Sequence, residues 1–278
     1  MAVTDLESTA RKLHPVISRL HEYAAYAAGD STEELMKFGY RNYWDCYFAA
    51  RSAPLGIVPP EVVDAVFYNF APGEVARHIP WVWQKASPEQ VLAAHHRGCA
   101  AATRRMLGSL ADSPDIARAA DIATKAATSA PVAGRALYAG LRSLPLPDEP
   151  VARLWHAATL LREHRGDGHN AALMAYGIGG LESHVLRALS DGAPAHEDGR
   201  IHHLGRARID RIIASMRVRG LVEESGELSE SGRETKQKIE SLTDQMAAVA
   251  YQALEPAELD QLVADLKPVG QAVDATGY

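Results

Sequence analysis

The chain has 278 residues, 47% of them apolar and 6% aromatic, with two cysteines and a formal charge of −6. That length favours two domains, the apolar share suffices for a real core, and the acidic balance excludes a molecule whose global field attracts polyanions. No secretory leader, bilayer-length apolar run, CxxC pair, P-loop, nucleophile elbow or dinucleotide-type glycine pattern is present. A cytoplasmic protein without membrane span, metal or cofactor is therefore expected.

Leu6 to Ala28 predicts a helix crossed by Pro15, which marks a kink or a late start. His14, Ser18 and His21 fall at i, i+4 and i+7, so one helical face can turn all three toward a cavity, or leave them as ordinary helix residues. Ser31 or Thr32 suits the cap of the next helix. Tyr40, Tyr43, Trp44, Tyr47 and Phe48 then crowd rings onto two adjoining faces. They read as core, or, with Tyr43, Tyr47 and the nearby Arg51, as the rim of a site for a planar, partly polar ligand. Pro54, Gly56 and Pro59-Pro60 punctuate the chain, and Ser87-Pro88-Glu89-Gln90 spells a capped helix entry. Further helices are expected over 113–130 and 135–144, before Pro145, Pro147 and Pro150 make a firm break. Residues 1–148 are expected to form an all-helical domain.

After that break Val151, Leu154, Trp155, Ala158 and Leu161 make one helical face, beside a more polar one with His156, Thr159 and Glu163. The segment His164-Arg165-Gly166-Asp167-Gly168-His169 follows. Three readings stay open. The glycines permit a bend, with Asp167 capping a new helix at His169. Alternatively Arg162 or Arg165 binds an anionic ligand that His156, His164 or His169 hydrogen-bonds. In the third reading His156, His164, Asp167 or His169 performs acid–base chemistry, since the His spacing is not that of a helical zinc pair.

In the last third, helices are expected from His169 to Tyr176 and from Leu181 to Leu189, then a loop over 190–203. Ile209, Ile212, Ile213 and Met216 mark another helix, which Gly220 stops. Leu221-Val222, the turn Ser225-Gly226-Glu227 and a return strand from Leu228 to Ser231-Gly232 predict a small β-hairpin, with a long helix from about Arg233. Residues 149–255 thus read as a winged helix, and 256–278 as a short helix and loose tail packed on the domains or at a dimer interface. The fold class expected is mainly α, a helical N-terminal region plus a C-terminal winged helix with a small β-hairpin.

The stretch RIDRIIASMRVRGLVEESGELSESG resembles the recognition helix and wing of MarR-type winged-helix regulators, closely over residues 206–233. The whole chain is similar to uncharacterised actinobacterial proteins that join a helical N-terminal region to such a module, at Arg51–Gly56 and His164–His169. The resemblance implies a homodimer that binds double-stranded DNA through Arg206, Arg208, Arg211 and Ser215 and responds to an aromatic or anionic small molecule. A ligand-responsive transcriptional regulator is the function expected. Two features favour an alternative: the long loop before the reading helix, and Glu223, Glu224 and Glu227 on the wing, which would repel phosphate. In that alternative a small-molecule-binding protein or non-redox enzyme keeps the winged helix as scaffold, with a polar pocket near His156–His169. A third reading uses the arginine flank for protein interaction.

Overall fold

The computed structural model describes residues 3–197 and 204–278. Among these residues the regular structure is helical: α1 (Val3–Glu22), α2 (Asp30–Met36), α3 (Tyr43–Ser52), α4 (Pro60–Phe67), α5 (Pro88–Leu107), α6 (Pro114–Ser129), α7 (Ala136–Arg142), α8 (Pro150–Ala175), α9 (Gly180–Ser190), α10 (Arg206–Val218), α11 (Glu230–Ala248) and α12 (Pro256–Asp274). Local chemistry sets many of the boundaries. Ser87 and Gln90 complete a reciprocal capping box at the start of α5. Ser229 caps α11 through the amide of Gly232. Gly220, at φ 72°, follows the end of α10 in the left-handed conformation that glycine adopts without steric cost. α1 includes Pro15 within its span and passes into a π-helical turn over Tyr23–Ala27. Gly29, rather than Ser31 or Thr32, precedes the first turn of α2.

Among the described residues two main apolar cores hold these helices, beside a small third cluster of Ala24, Ala25, Cys99, Ala102 and Trp155. The larger gathers α1 to α7, the first half of α8 (Val151 to Leu161), Ala247 and Ala248 of α11, and the buried side of α12. The smaller joins Ala172 and Leu173 of α8 to Val185 and Leu186 of α9, Ile209 and Met216 of α10, Leu221, Val222, Leu228, and Ile239 of α11. Helices α8 and α11 therefore belong to both cores and tie them together. The C-terminal helix is longer than expected: Val269 and Val273 are fully buried, so the chain past Gly270 stays ordered on the larger core. None of the described helices is long and apolar enough to cross a membrane.

Three sequence expectations need correction. The wing does not form: no strand occurs among the described residues, and the expected hairpin reduces to one isolated antiparallel bridge between Val222 and Leu228. The reason is that α11 starts at Glu230 and its cap at Ser229 consumes the return segment. Gly232, within the first turn of α11, is pressed so closely on the Leu221 carbonyl that a Cβ has no room. The fold is thus mainly α without a β-hairpin, and the MarR-type winged-helix resemblance fails at its defining element. The bend at His164–His169 is also absent. α8 continues unbroken through both glycines, and Asp167 caps nothing on its own helix; its carboxylate accepts instead from the backbone amide of Tyr138 on α7 at 3.0 Å. Finally, the expected 190–203 loop contains a short 3-10 turn at Ala195–Glu197, and its part from 198 to 203 lies outside the described residues.

An unbroken α8 makes a measurable distinction between its two glycines. A Cβ on Gly166 meets only Glu163 Oε2, at 3.5 Å, whereas one on Gly168 would sit 2.6 Å from the guanidinium of Arg135. Gly166→Ala is expected to raise stability by up to about 1 kcal/mol in urea melts, because alanine favours the helix. Gly168→Ala is expected to lower it by about 1–3 kcal/mol through overpacking. A loss with Gly166→Ala would restore the bend.

Candidate functional site

A cleft of about 320 Å³, lined mostly by polar and charged side chains, lies where the two cores meet. α8 supplies its floor with Arg162, Glu163, Arg165, Asp167, His169 and Asn170. His14, Ser18 and Glu22 of α1 form one wall, with Arg51 from the end of α3 and Phe67 from the end of α4. Ser183, His184 and Arg187 of α9 and Lys236 and Glu240 of α11 form the other. Because α8 is one helix, Glu163, Asp167 and Asn170 fall at i, i+4 and i+7 and share a stripe, with Arg162, Arg165 and His169 alongside.

Most charges here are tied in pairs. Glu163, buried, takes Arg51 Nη2 at 3.1 Å and Arg162 Nη1 at 2.5 Å. Arg162 also reaches Glu22 on α1 at 2.8 Å. Arg165 contacts Asp244 at 2.8 Å and Glu240 at 3.5 Å, and Lys236 contacts Glu240 as well. Burial alone would push the Glu163 carboxyl up, but the two guanidinium groups outweigh it and hold the acid down at about 2. Arg51 additionally lies 4.4 Å from the Phe67 ring centroid and donates to the Tyr47 hydroxyl at 3.1 Å. The Nε atoms of Arg51 and Arg162 are buried without a hydrogen-bond partner.

Asp167 behaves differently. Burial in the first place, and then the charge of Glu163, raise its carboxyl to about 6, although the Tyr138 amide bond opposes this. His14 is shifted the other way, down to about 4, by burial and then by the charges of Arg165 and Arg162.

The sequence candidates separate on this geometry. Arg51, Arg162, Asp167 and His169 come together in the cleft, as does Arg165. Tyr47 stands behind Arg51, while Tyr43 packs against Trp44 on the outer side of α3, partly exposed. His156 and His164 are buried away from the cleft. His156 packs edge-on against His96 at 5.5 Å with neither ring nitrogen bonded, and His164 packs against Tyr138 at 5.0 Å. Arg206, Arg208, Arg211 and Ser215 lie on the outer flank of α10, where the last three line only a shallow groove with Glu182 and Ile212. The contributions of α9 and α11 have no local signal in the sequence, and the α8 stripe becomes visible only once the helix is seen to run through Gly166 and Gly168.

The model of the helix-turn-helix family matches residues 10–278, which spans the helical body and the C-terminal unit alike. The chain belongs to the helix-turn-helix family. No curated protein and no solved structure matches it. α9 and α10 share the smaller core with α8 and α11, and of the two only α9 lines the cleft. With no strand among the described residues, the expected winged-helix DNA-binding mechanism does not hold for this chain.

The buried histidines predict acid lability. Seven of them (His14, His21, His95, His96, His156, His164 and His169) are held below their ordinary value, first of all by burial. Above pH 6.5 they are neutral in both folded and unfolded chains. Below it the unfolded chain takes protons that the folded one refuses, so stability falls as pH drops toward 4. Asp167, with its raised value, works in the opposite sense between pH 6 and 4 and offsets about one histidine. Urea melts from pH 7.5 to 5 should show a steep loss, with about 1 kcal/mol per pH unit removed from the slope by His156→Leu. That variant deletes two unpartnered nitrogens and should be no less stable than the parent at pH 7.5.

Proposed function

We propose that this protein binds a small, acid-bearing polar molecule in the cleft between its two cores, with the helix-turn-helix unit serving as scaffold and wall. The observation that carries this reading is the convergence of Arg51, Arg162, Arg165 and Lys236 on one concavity of about 320 Å³. That volume is in the range of small-molecule sites. Guanidinium groups match carboxylate and phosphate geometry through paired N–H donors. Glu22, Glu163, Asp167 and Glu240 line the same space, so the lining is nearly charge-balanced and favours a ligand with polar groups beyond its acid. An aromatic ligand has less support, since Phe67 is the only ring besides the histidines on the lining among the described residues.

A non-redox enzyme is the second reading, and Asp167 favours it. A cleft carboxyl raised to about 6 can exchange protons near neutral pH, as general acids and bases do.

Isothermal titration with inorganic phosphate, succinate and tartrate tests the main reading. Binding of at least one is expected, weakened about 10–100-fold by Lys236→Ala or Arg162→Gln, because a charge-assisted bond is lost. Thermal melts of both variants check that they fold. Absence of binding by the whole panel, or affinities that neither substitution changes, would remove the reading.

A further inference from the structure

His169 and Thr243 fix a chemical detail of the cleft that the ion pairs do not. Thr243, buried on α11, has its hydroxyl 2.7 Å from the Ile239 carbonyl one turn back. The same oxygen lies 3.0 Å from His169 Nδ1. A hydroxyl has one proton, and a carbonyl can only accept, so the proton of Thr243 goes to Ile239. The imidazole then faces a lone pair. Nδ1 must carry the hydrogen of the neutral ring, and Nε2 is left as a bare acceptor.

Burial keeps this ring neutral, and Lys236 on α11 and Arg165 on α8 act in the same direction against the charge of Glu240. His169 is therefore not another cation for the ligand's acid. No donor among the described residues meets its Nε2, and the residue lines the cleft.

The interior holds a second copy of the device whose acceptor is already served. His21 Nδ1 lies 2.8 Å from Thr159 Oγ1, and Thr159 donates to the Trp155 carbonyl at 2.9 Å. There the opposite nitrogen, Nε2, is 3.2 Å from the Tyr26 hydroxyl. A threonine-pinned imidazole in this protein thus takes a hydroxyl as its partner.

We propose that His169 Nε2, held as an acceptor by Thr243, selects hydroxy acids over simple acids in the cleft: a small carboxylic acid whose neighbouring O–H points at the imidazole while the arginines hold the acid. This rests on the reading of the cleft as an acid-binding site. His169 contacts the ligand, and Thr243 is a positioning residue that acts through it.

Succinate and malate differ by one hydroxyl group and serve as the probes. Titration calorimetry of the full chain is expected to show malate binding about tenfold tighter than succinate, the worth of one well-placed hydrogen bond. His169→Phe should collapse that ratio toward one. Thr243→Val, which keeps the side-chain volume, should also reduce the ratio, and 15N NMR of the His169 ring should show the Nδ1–H form giving way to a mixture. Circular dichroism melts establish that both variants fold. Equal binding of malate and succinate to the parent protein would overturn hydroxy-acid selection and leave acid binding standing. An Nε2–H ring in the parent protein would overturn it whatever the affinities. Binding of neither probe would overturn it together with the acid-binding reading for dicarboxylates.

Discussion

Helix α8 passes through both hydrophobic cores without interruption, and the rest of the molecule is arranged on that continuity. Twenty-six residues at the α-helical rise make a strut about 39 Å long. Its N-terminal half is buried in the larger core and its last turns in the smaller one. The middle cannot be apolar, because it crosses the gap between them. Arg162, Glu163, Arg165, Asp167 and His169 occupy that stretch, and the cleft is the space above them. Gly168 sits in the crossing because Arg135, bound to the carbonyls of His164 and Met246, lies against it and leaves no room for a side chain. The same guanidinium joins α7, α8 and α11 where the two cores meet.

Charge pairing in the gap follows from burial. Glu163 between Arg51 and Arg162 is desolvated, and its ionised form survives only because two guanidinium groups surround it. Such networks seldom add net stability compared with an apolar core, while breaking one leaves a buried charge that costs several kcal/mol. They do fix geometry. The pairs link α1, α3, α8 and α11 through Glu22, Arg51, Arg162, Arg165, Glu240 and Asp244. The walls of the cleft are thereby held in one arrangement.

Membership of the helix-turn-helix family and the geometry of the cleft answer different questions. The family match extends from residue 10 to residue 278 and so takes in the helical body together with the C-terminal helices. A fold does not by itself carry an activity. In this chain α9 directs Ser183, His184 and Arg187 into the cleft, and α10 packs Ile209 and Met216 into the smaller core. The acidic segment after α10, with Glu223, Glu224 and Glu227, is a tight turn leading into α11.

Local sequence determined the elements whose signals are complete within a few residues. The capping box at Ser87, the stop at Gly220, the apolar stripes of α8 and α10 and the all-helical N-terminal region were readable because cap chemistry and 3.6-residue periodicity act over single turns. The face shared by His14, Ser18 and His21 was readable too, though not that the first two reach the cleft while His21 joins Thr159 in the interior. Tertiary packing decided the remainder. Val222 and Leu228 have strand-like surroundings, but a hairpin needs a return strand, and Ser229 was claimed by the helix that follows. Gly166 and Gly168 suggest a bend in isolation, yet two cores pulling on the same segment keep it helical, since each glycine costs only about 1 kcal/mol. Which of many arginines and histidines meet was set by long-range contacts such as Arg51 with Glu163 and His169 with Thr243, and no local pattern in a single sequence encodes those pairings.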